Sequence, residues 1–465
     1  MSALHTQPPD IASKQNLFQS LRAEEEPLLG TCFVPPRGYE YLAGDTSVVV
    51  LGDVGSGKTA LYKMLCLHGM DESGKPTRLL IEWRPQPELE KNKQNNLSVA
   101  RRLTLQMLDA CALTLVEHLT RFYPDFEQAP PWAQTRLLWF IRCSLQGDLV
   151  ARLEPVFSGH QSLEPLTTKI QGVSPDAILY EPSPEQLIGE LLTGLQGIGL
   201  AGIWIMADGF EGWAETEPEV LGFNLKAFFS ALSLFEDQRL NFKFFIPAPL
   251  EPAMMRASGI LRRRVTPYHL QRETTELVQI VERRLALTLG REQVSLRDVC
   301  EAPSLPEYLE RVGHRSPREW LDQIQPLVQH YLESHPAKPI DEDTWKKLRR
   351  QYPPHFWMDE IGCNVRVGGR EIPLDDVPPK TYNMLHYLYQ HAGKVVSKEA
   401  LYFLAYLGLD HIPRPGDEKY ESPKEYSGLV DTSIYRLRQA IEPDPSAPII
   451  LQTVRGYGVR LVSRW

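Results

Sequence analysis

The stretch Gly52-Asp53-Val54-Gly55-Ser56-Gly57-Lys58-Thr59 fits the pattern G-x-x-x-x-G-K-[ST]. These residue types at this spacing hold a phosphate chain. Glycine lets the backbone wrap an anion because no Cβ blocks close approach and positive φ is allowed. A helix that follows aims its free N–H groups and positive dipole end at the same anion. In this pattern Lys58 reaches the β- and γ-phosphates of ATP, and Thr59 ligates Mg2+. A second stretch, AGIWIMADGFEGW at 201–213, is an apolar run ending in Asp208. An acid at the carboxyl end of a buried parallel strand stands on the ligand side of the sheet. Asp208 is therefore expected to hold Mg2+, and Glu211 to orient or deprotonate an attacking water.

The other chemistry-bearing residues lie near the end of the chain. Val430, Ile434, Leu437 and Ile441 recur at helical spacing and form one apolar stripe. That spacing leaves Thr432, Ser433, Tyr435, Arg436 and Gln439 off the stripe, with Arg438 flanking it. A helix of this kind reads base edges in the major groove, where arginine pairs bidentately with guanine. Thr453 and Arg455 fall at a following hairpin, placed for phosphate or minor-groove contact. From Val430 onward five arginines stand against three acids, so an acidic chain has a basic end. The alternative reading of this surface is protein contact, with the arginines merely solvated.

Several elements must position these groups. Val48-Val49-Val50-Leu51 is a buried strand ahead of the phosphate loop, and Ala60-Leu61 open a helix after it. Arg78 to Trp83, bounded by Pro76 and Pro85, is a second strand. Asn96–Phe122 and Trp132–Leu153 read as long helices, and residues 154–184, rich in Pro, Ser and Gly, as a loop. Pro184–Leu195 and Val220–Phe235 are helices on either side of the Asp208 strand. Asn241–Ile246 is a further strand with no polar residue at its carboxyl end, where a γ-phosphate sensor would stand. Arg262-Arg263-Arg264 is a basic triplet, read as a solvated charge run in preference to a finger reaching a neighbouring subunit. Leu28, Leu29, Phe33 and Val34 form either a wall for an adenine or ordinary core. Thr274–Leu289 is helical, and Ser316-Pro317 start another helix as N-cap and first residue.

Residues 334–354, with scattered prolines and mixed charge, read as a linker. Beyond it come a small antiparallel sheet, helices near 381–391, 397–407 and 430–441, and a terminal hairpin from Pro448. The chain has 465 residues, a net charge of −9, 42% hydrophobic and 23% charged residues. That is the composition of a packed multi-domain protein without a chain-wide basic coat. Its six scattered cysteines contain no C-x-x-C and read as buried thiols of a reducing compartment. The N-terminus lacks an apolar signal core, and no apolar run reaches membrane-spanning length. A soluble cytoplasmic protein without membrane association is expected.

Residues from about 25 to 335 resemble the AAA+ and STAND branch of phosphate-loop ATPases. The resemblance rests on GDVGSGKT, on WIMADGFE and on the G-x-x-x-P-R turn at Gly313–Arg318. It implies a helical lid in which Arg318 senses the bound nucleotide, with Arg315 in reserve. Residues from about 355 to 465 resemble the OmpR/PhoB-type DNA-binding domain, through VPPKTYNMLHYL, GKVVSKEALY, VDTSIYRLRQAIEPDP and TVRGYGVRL. Two positions depart from that pattern. Thr381 replaces an acid, and Val459 replaces the aromatic after the second wing glycine, with Tyr457 available to compensate. In that family the loop matching residues 408–428 often contacts RNA polymerase, so polymerase or another protein is the partner expected there.

The fold class expected is an α/β P-loop NTPase, a parallel sheet with a helical lid, followed by an α+β winged-helix domain. The divisions are a loose N-terminus (1–24), the ATPase (25–333), the linker (334–354) and the winged helix (355–465). ATP with Mg2+ at Gly52–Thr59 and Arg318, and double-stranded DNA at residues 430–460, are the ligands expected. Together they predict a nucleotide-switched transcription regulator with slow hydrolysis and nucleotide-dependent self-assembly. Two other readings stay open: an ATP-dependent DNA-loading or remodelling ATPase, and a STAND-type defence sensor.

Overall fold

The computed structural model describes residues 17–19, 21–86, 96–157, 164–173, 182–210, 224, 226–229, 232–252, 254, 265–334, 338–359 and 364–464. The chain forms two compact units. One is Pro35–Leu270, and the other joins the segment ending at Val34 to everything from Gln271 onward.

In the Pro35–Leu270 unit, strands β1 (Val48–Gly52), β2 (Leu79–Trp83), β3 (Ile203–Ala207), β4 (Leu240–Pro247) and β5 (Thr266–His269) form one parallel sheet. Their order is β2-β3-β4-β1-β5. A parallel sheet is covered on both faces, so its inner strands are largely apolar; β1 and β3 are buried along their whole length. Val49, Leu51, Ile205, Phe242 and Phe244 share a core with helices α2 (Asn96–Arg121), α3 (Pro131–Ser144) and α4 (Pro184–Gly197). Helices α3 and α4 approach closely because Gly194 and Gly197 have no Cβ. An added Cβ would lie 2.7 Å from the Leu137 side chain and 2.3 Å from that of Ala133.

On the other face, Tyr62 of the helix following β1 meets Phe245 edge to face at 5.6 Å. Lys243, fully buried in β4, donates to the carbonyls of Leu42, Gly44 and Thr46 at 2.7–2.8 Å. It thereby fastens the segment entering β1 to the sheet.

Two expectations change here. Trp132–Leu153 is not one helix: α3 ends at Ser144, and a separate helix starts at Leu149. Gly147 between them has φ 85°, which a right-handed helix cannot include. Residues 164–171, read as loop, form a helix.

In the second unit, α5 (Thr274–Leu289), α6 (Leu305–Gly313) and α7 (Pro317–Ser334) share one core with the residues after 340. Phe18 belongs to the same core. Arginines hold the N-terminal segment: Arg284 pairs with buried Glu26 at 2.9 Å and donates to Leu17 O at 2.7 Å. Arg272 donates to Val34 O at 2.8 Å. Leu29, Phe33 and Val34 are buried.

The stretch read as a linker contains helix α8 (Glu342–Gln351), N-capped by Asp341 and anchored by buried Trp345 and Leu348. Next come the antiparallel sheet β6 (Phe356–Met358), β7 (Asn364–Val367), β8 (Arg370–Pro373), and helix α9 (Pro379–Gln390). The turn Lys398–Tyr406, whose second part is π-helical, precedes helix α10 (Pro423–Ile441). Strands β10 (Leu451–Val454) and β11 (Gly458–Leu461) pair as the terminal hairpin, and β11 pairs with β9 (Val395–Val396). This is a winged-helix arrangement. Among the described residues no helix is long and apolar enough to cross a membrane.

Candidate functional site

Strand β1 delivers its last residue, Gly52, to the phosphate loop. Gly55 and Gly57 take φ 85° and 96°, in the left-handed region that side chains avoid. A Cβ on Gly52 would lie 2.5 Å from Ser56 Oγ, so the loop closes only over glycine. Around Gly57 there is open space to 4 Å. Helix α1 (Lys58–His68) starts directly after it with no side-chain cap, leaving its first N–H groups aimed outward. Lys58 is nearly buried, and its ammonium curls back over the loop, donating to Gly52 O at 2.8 Å and Asp53 O at 3.1 Å. The Ser56 hydroxyl is buried with no hydrogen-bond partner. Asp53 and Val54 form the exposed lip, and Thr59 lies half-buried on the first helical turn. The open cradle at Gly57, the uncapped helix start and the lysine across the loop fit a phosphate chain.

Asp208 directly follows β3, half-buried, its N–H donating to Trp83 O at 3.1 Å. Burial, with Cys66, Glu82 and Asp208 adding to it in that order, pushes the Tyr62 phenol of α1 far above its ordinary pKa. Asp208 and Thr59 are oxygen donors of the kind that suits Mg2+, an ion that takes few protein ligands beside phosphates and water. The carboxyl end of β4 reads Phe244-Phe245-Ile246-Pro247, entirely apolar. The polar pair near it, Glu251 and His269, is joined at 2.9 Å. Glu211 and Arg262–Arg264 lie outside the described residues. Arg318 is exposed on the first turn of α7, in the second unit, and Arg315 near it donates to Gln271 Oε1.

The second candidate site is the face of α10 with the adjoining wing. The helix starts at Pro423, seven residues ahead of the expected start. Ser422 and Glu425 close a capping box there, so part of the stretch 408–428 is helix. Tyr435 and Arg436 are exposed, and so is Thr432, whose hydroxyl donates to Gly428 O at 2.8 Å. Ser433, expected on this face, is only 5% exposed and stands 3.5 Å from the Thr381 hydroxyl, so it is a core residue. Arg438 also has another task. Its guanidinium donates to Leu451 O at 2.6 and 3.1 Å and to Thr453 Oγ1 at 2.7 Å, tying the helix to the first wing strand. Buried Glu442 strengthens this tie by accepting the N–H groups of Ile449, Ile450 and Leu451.

Arg455 is exposed at the wing turn. Val459 is buried, opposite Thr453 and Val396, and Tyr457 does not replace an aromatic there. Tyr457 stands at the tip between two positive-φ glycines. Among the described residues the three most exposed large apolar side chains are Tyr457 (76%), Val54 (63%) and Tyr435 (62%). One lies in the phosphate loop, and the other two lie on the winged-helix face. Sequence reading missed Lys398, which pairs with Asp431 of α10 at 2.6 Å and closes off the start of the exposed face. The two residues are far apart in the chain, and no local spacing announces the pair.

Part of the chain is similar to known transcription regulators. The sensory transduction protein RegX3 of Mycobacterium leprae is 35% identical over 106 residues, covering 23% of this chain and 46% of RegX3. The alkaline phosphatase synthesis transcriptional regulatory protein SphR of Synechococcus elongatus is 34% identical over 99 residues, 21% of this chain and 32% of SphR. The chain joins a P-loop α/β unit to a segment similar to transcription regulators. It spans less than half the length of the curated relatives it matches. No family model matches the chain. Among solved structures, the ORC2 protein of Aeropyrum pernix in its ADPNP–ADP complexes aligns over 92% of this chain and 91% of its own, with 14% identity and a TM-score of 0.34. Cdc6p of Pyrobaculum aerophilum aligns over 98% of this chain and 90% of its own, with 13% identity and a TM-score of 0.33.

Proposed function

We propose that this protein is an ATP-binding, nucleotide-switched regulator of transcription. The observation that carries the reading is the joining, in one chain, of the Gly52–Thr59 cradle to a winged helix with an exposed arginine-bearing face. Lys58 leaves its two carbonyl partners for the β- and γ-phosphates, and the first N–H groups of α1 meet the same oxygens. Thr59 and Asp208 hold Mg2+, which when bound neutralises phosphate charge. Glu211 orients the attacking water, and Arg318 answers to the bound nucleotide. The apolar end of β4 offers no side chain to engage a γ-phosphate, which supports slow, switch-type hydrolysis.

On DNA, Arg436, Tyr435 and Thr432 face base edges, while Arg455 and Tyr457 at the wing meet the backbone or minor groove. Arg438 and Thr453 act from behind by holding the wing against α10. Nucleotide-dependent self-assembly would array these helices along a duplex, and the stretch before Pro423 is the surface offered to RNA polymerase or another protein. The test is to recover the DNA fragments bound by purified protein with and without ATP. A few discrete sites, changed in occupancy by ATP, are expected. ATP-dependent coating of any sequence would replace this reading with a DNA-loading or remodelling ATPase.

A further inference from the structure

The core of the wing is closed without Tyr457. Val459 fills it, buried opposite Thr453 and Val396. The Tyr457 ring is left 76% exposed at the hairpin tip. A single exposed aromatic is ordinary on a protein surface. What sets this one apart is its mount.

Gly456, φ 81°, forms the turn in which Tyr457 N–H donates to Val454 O at 3.0 Å. Gly458 follows with φ 150°, and a Cβ on it would lie 2.0 Å from Val396 O. The backbone just after Tyr457 is therefore pressed onto β9, an approach open only to glycine. The strands behind the tip are held as well. β11 pairs with β10 from Leu451–Leu461 up to Val454–Gly458, and Arg460 donates across the pair to Gln452 Oε1 at 3.0 Å. Arg438 of α10 grips Leu451 O and Thr453 Oγ1 from the other side. The ring thus stands on a hairpin braced against both α10 and β9.

The tip is also slim and basic. A Cβ on Gly456 would meet nothing within 4 Å, and Arg455 beside it is exposed. The minor groove of DNA is roughly 6 Å wide, and where it narrows its negative potential draws arginine. Proteins that bind there insert apolar wedges between base steps, which unstacks the bases and kinks the duplex. An aromatic face returns part of the lost stacking to the base it displaces.

We propose that Tyr457 is a wedge that enters between two base pairs from the minor groove, so that the protein kinks its DNA site and selects the step it opens. The proposal rests on the reading of α10 and the wing as a duplex-binding face. Pyrimidine–purine steps unstack most readily, so a TA or CA/TG step belongs at the wing's position in the preferred site. The wing then reads sequence through the deformability of a step that lies outside the bases read by Arg436.

The test uses full-length protein and a duplex that it selects from random sequence. 2-Aminopurine, whose emission rises when it unstacks, replaces one adenine at a time on either strand. Wild-type protein is expected to raise the emission at a pyrimidine–purine step outside the bases read by Arg436. Tyr457→Phe keeps the rise, and Tyr457→Ala binds the duplex without it. Changing that step to a stiff AA step should weaken wild-type binding at least about fivefold, the lower end of the effect of one altered base pair. The same change should leave the affinity of Tyr457→Ala as it was. The substitutions alter only an exposed side chain, and thermal unfolding of each variant checks that the fold is kept. Unchanged emission at every position in the wild-type complex, or an equal rise with Tyr457→Ala, would overturn the proposal. Arg436→Ala separates the two levels. If wild-type protein binds no duplex, the DNA reading fails and the wedge with it. If Arg436→Ala loses sequence choice while wild-type emission stays flat, the DNA reading stands and only the wedge fails.

Discussion

The ammonium of Lys243 lies over the indole of Trp204, 4.8 Å from the ring centroid. The same ring carries the guanidinium of Arg78 at 4.4 Å, and its N–H donates to Asp45. One aromatic residue thus gathers two cations and a carboxylate beneath the segment that enters β1. Burial pushes the Lys243 pKa from 10.5 down to about 7, with Asp45 opposing that shift and Arg78 reinforcing it. Between about 7 and 10.5 the unfolded chain holds a proton that the folded chain sheds. Unfolding then takes up a proton, and stability rises with pH across that window. Denaturant unfolding measured from pH 7 to 10 should show this rise, and Lys243→Met should flatten it. Lys243→Met should also lower stability at pH 7, because three buried carbonyls lose their donor.

Arg436 and Arg438 are two residues apart and are expected to behave differently. Arg436→Ala should cost about 1–3 kcal/mol in binding a preferred duplex and relax sequence choice, with folding unchanged. Arg455→Ala should weaken binding to all sequences alike and make the salt dependence shallower. Arg438→Ala should lower stability by about 1–3 kcal/mol, since Leu451 O loses both of its donors from that side chain. Binding isotherms at two salt concentrations, with thermal unfolding of each variant, separate the three behaviours.

Much of this arrangement is legible in the sequence. The phosphate loop is local, and its eight residues carry their own geometry. The winged helix is legible because its stripe, wing glycines and turn sit in one short stretch. The helix start at Ser422-Pro423-Lys424-Glu425 was equally available, since that spacing is a capping-box signature, but the surrounding prolines and charges pointed to loop. Ser433 was misplaced because a stripe taken at i, i+4, i+7 omits the i+3 position, which lies on the same face. Helix α8 was hidden because Trp345 and Leu348 are its only large apolar anchors among charged neighbours. The order of the parallel strands and the Lys398–Asp431 pair depend on contacts between distant residues, which local patterns do not encode.

Hydrolysis gives a further prediction. Glu211→Gln should retain ATP binding and slow turnover, while Asp208→Ala should impair both Mg2+-dependent binding and turnover. Phosphate release under saturating ATP, set beside calorimetric affinity, reads the two effects separately. Unaltered turnover in Glu211→Gln would assign the water to another acid.

The central claim is that nucleotide and DNA act on one another through this chain. Linkage requires that, if ATP changes the affinity for DNA by some factor, DNA changes the affinity for ATP by the same factor. The direct measurement is ATP affinity of the full-length protein with and without a saturating duplex selected by the protein from random sequence. Lys58→Ala serves as the control that removes the nucleotide. The account predicts ATP affinities that differ at least about fivefold, with the reciprocal factor in DNA affinity. Equal ATP affinities, in a protein that binds that duplex, would contradict it.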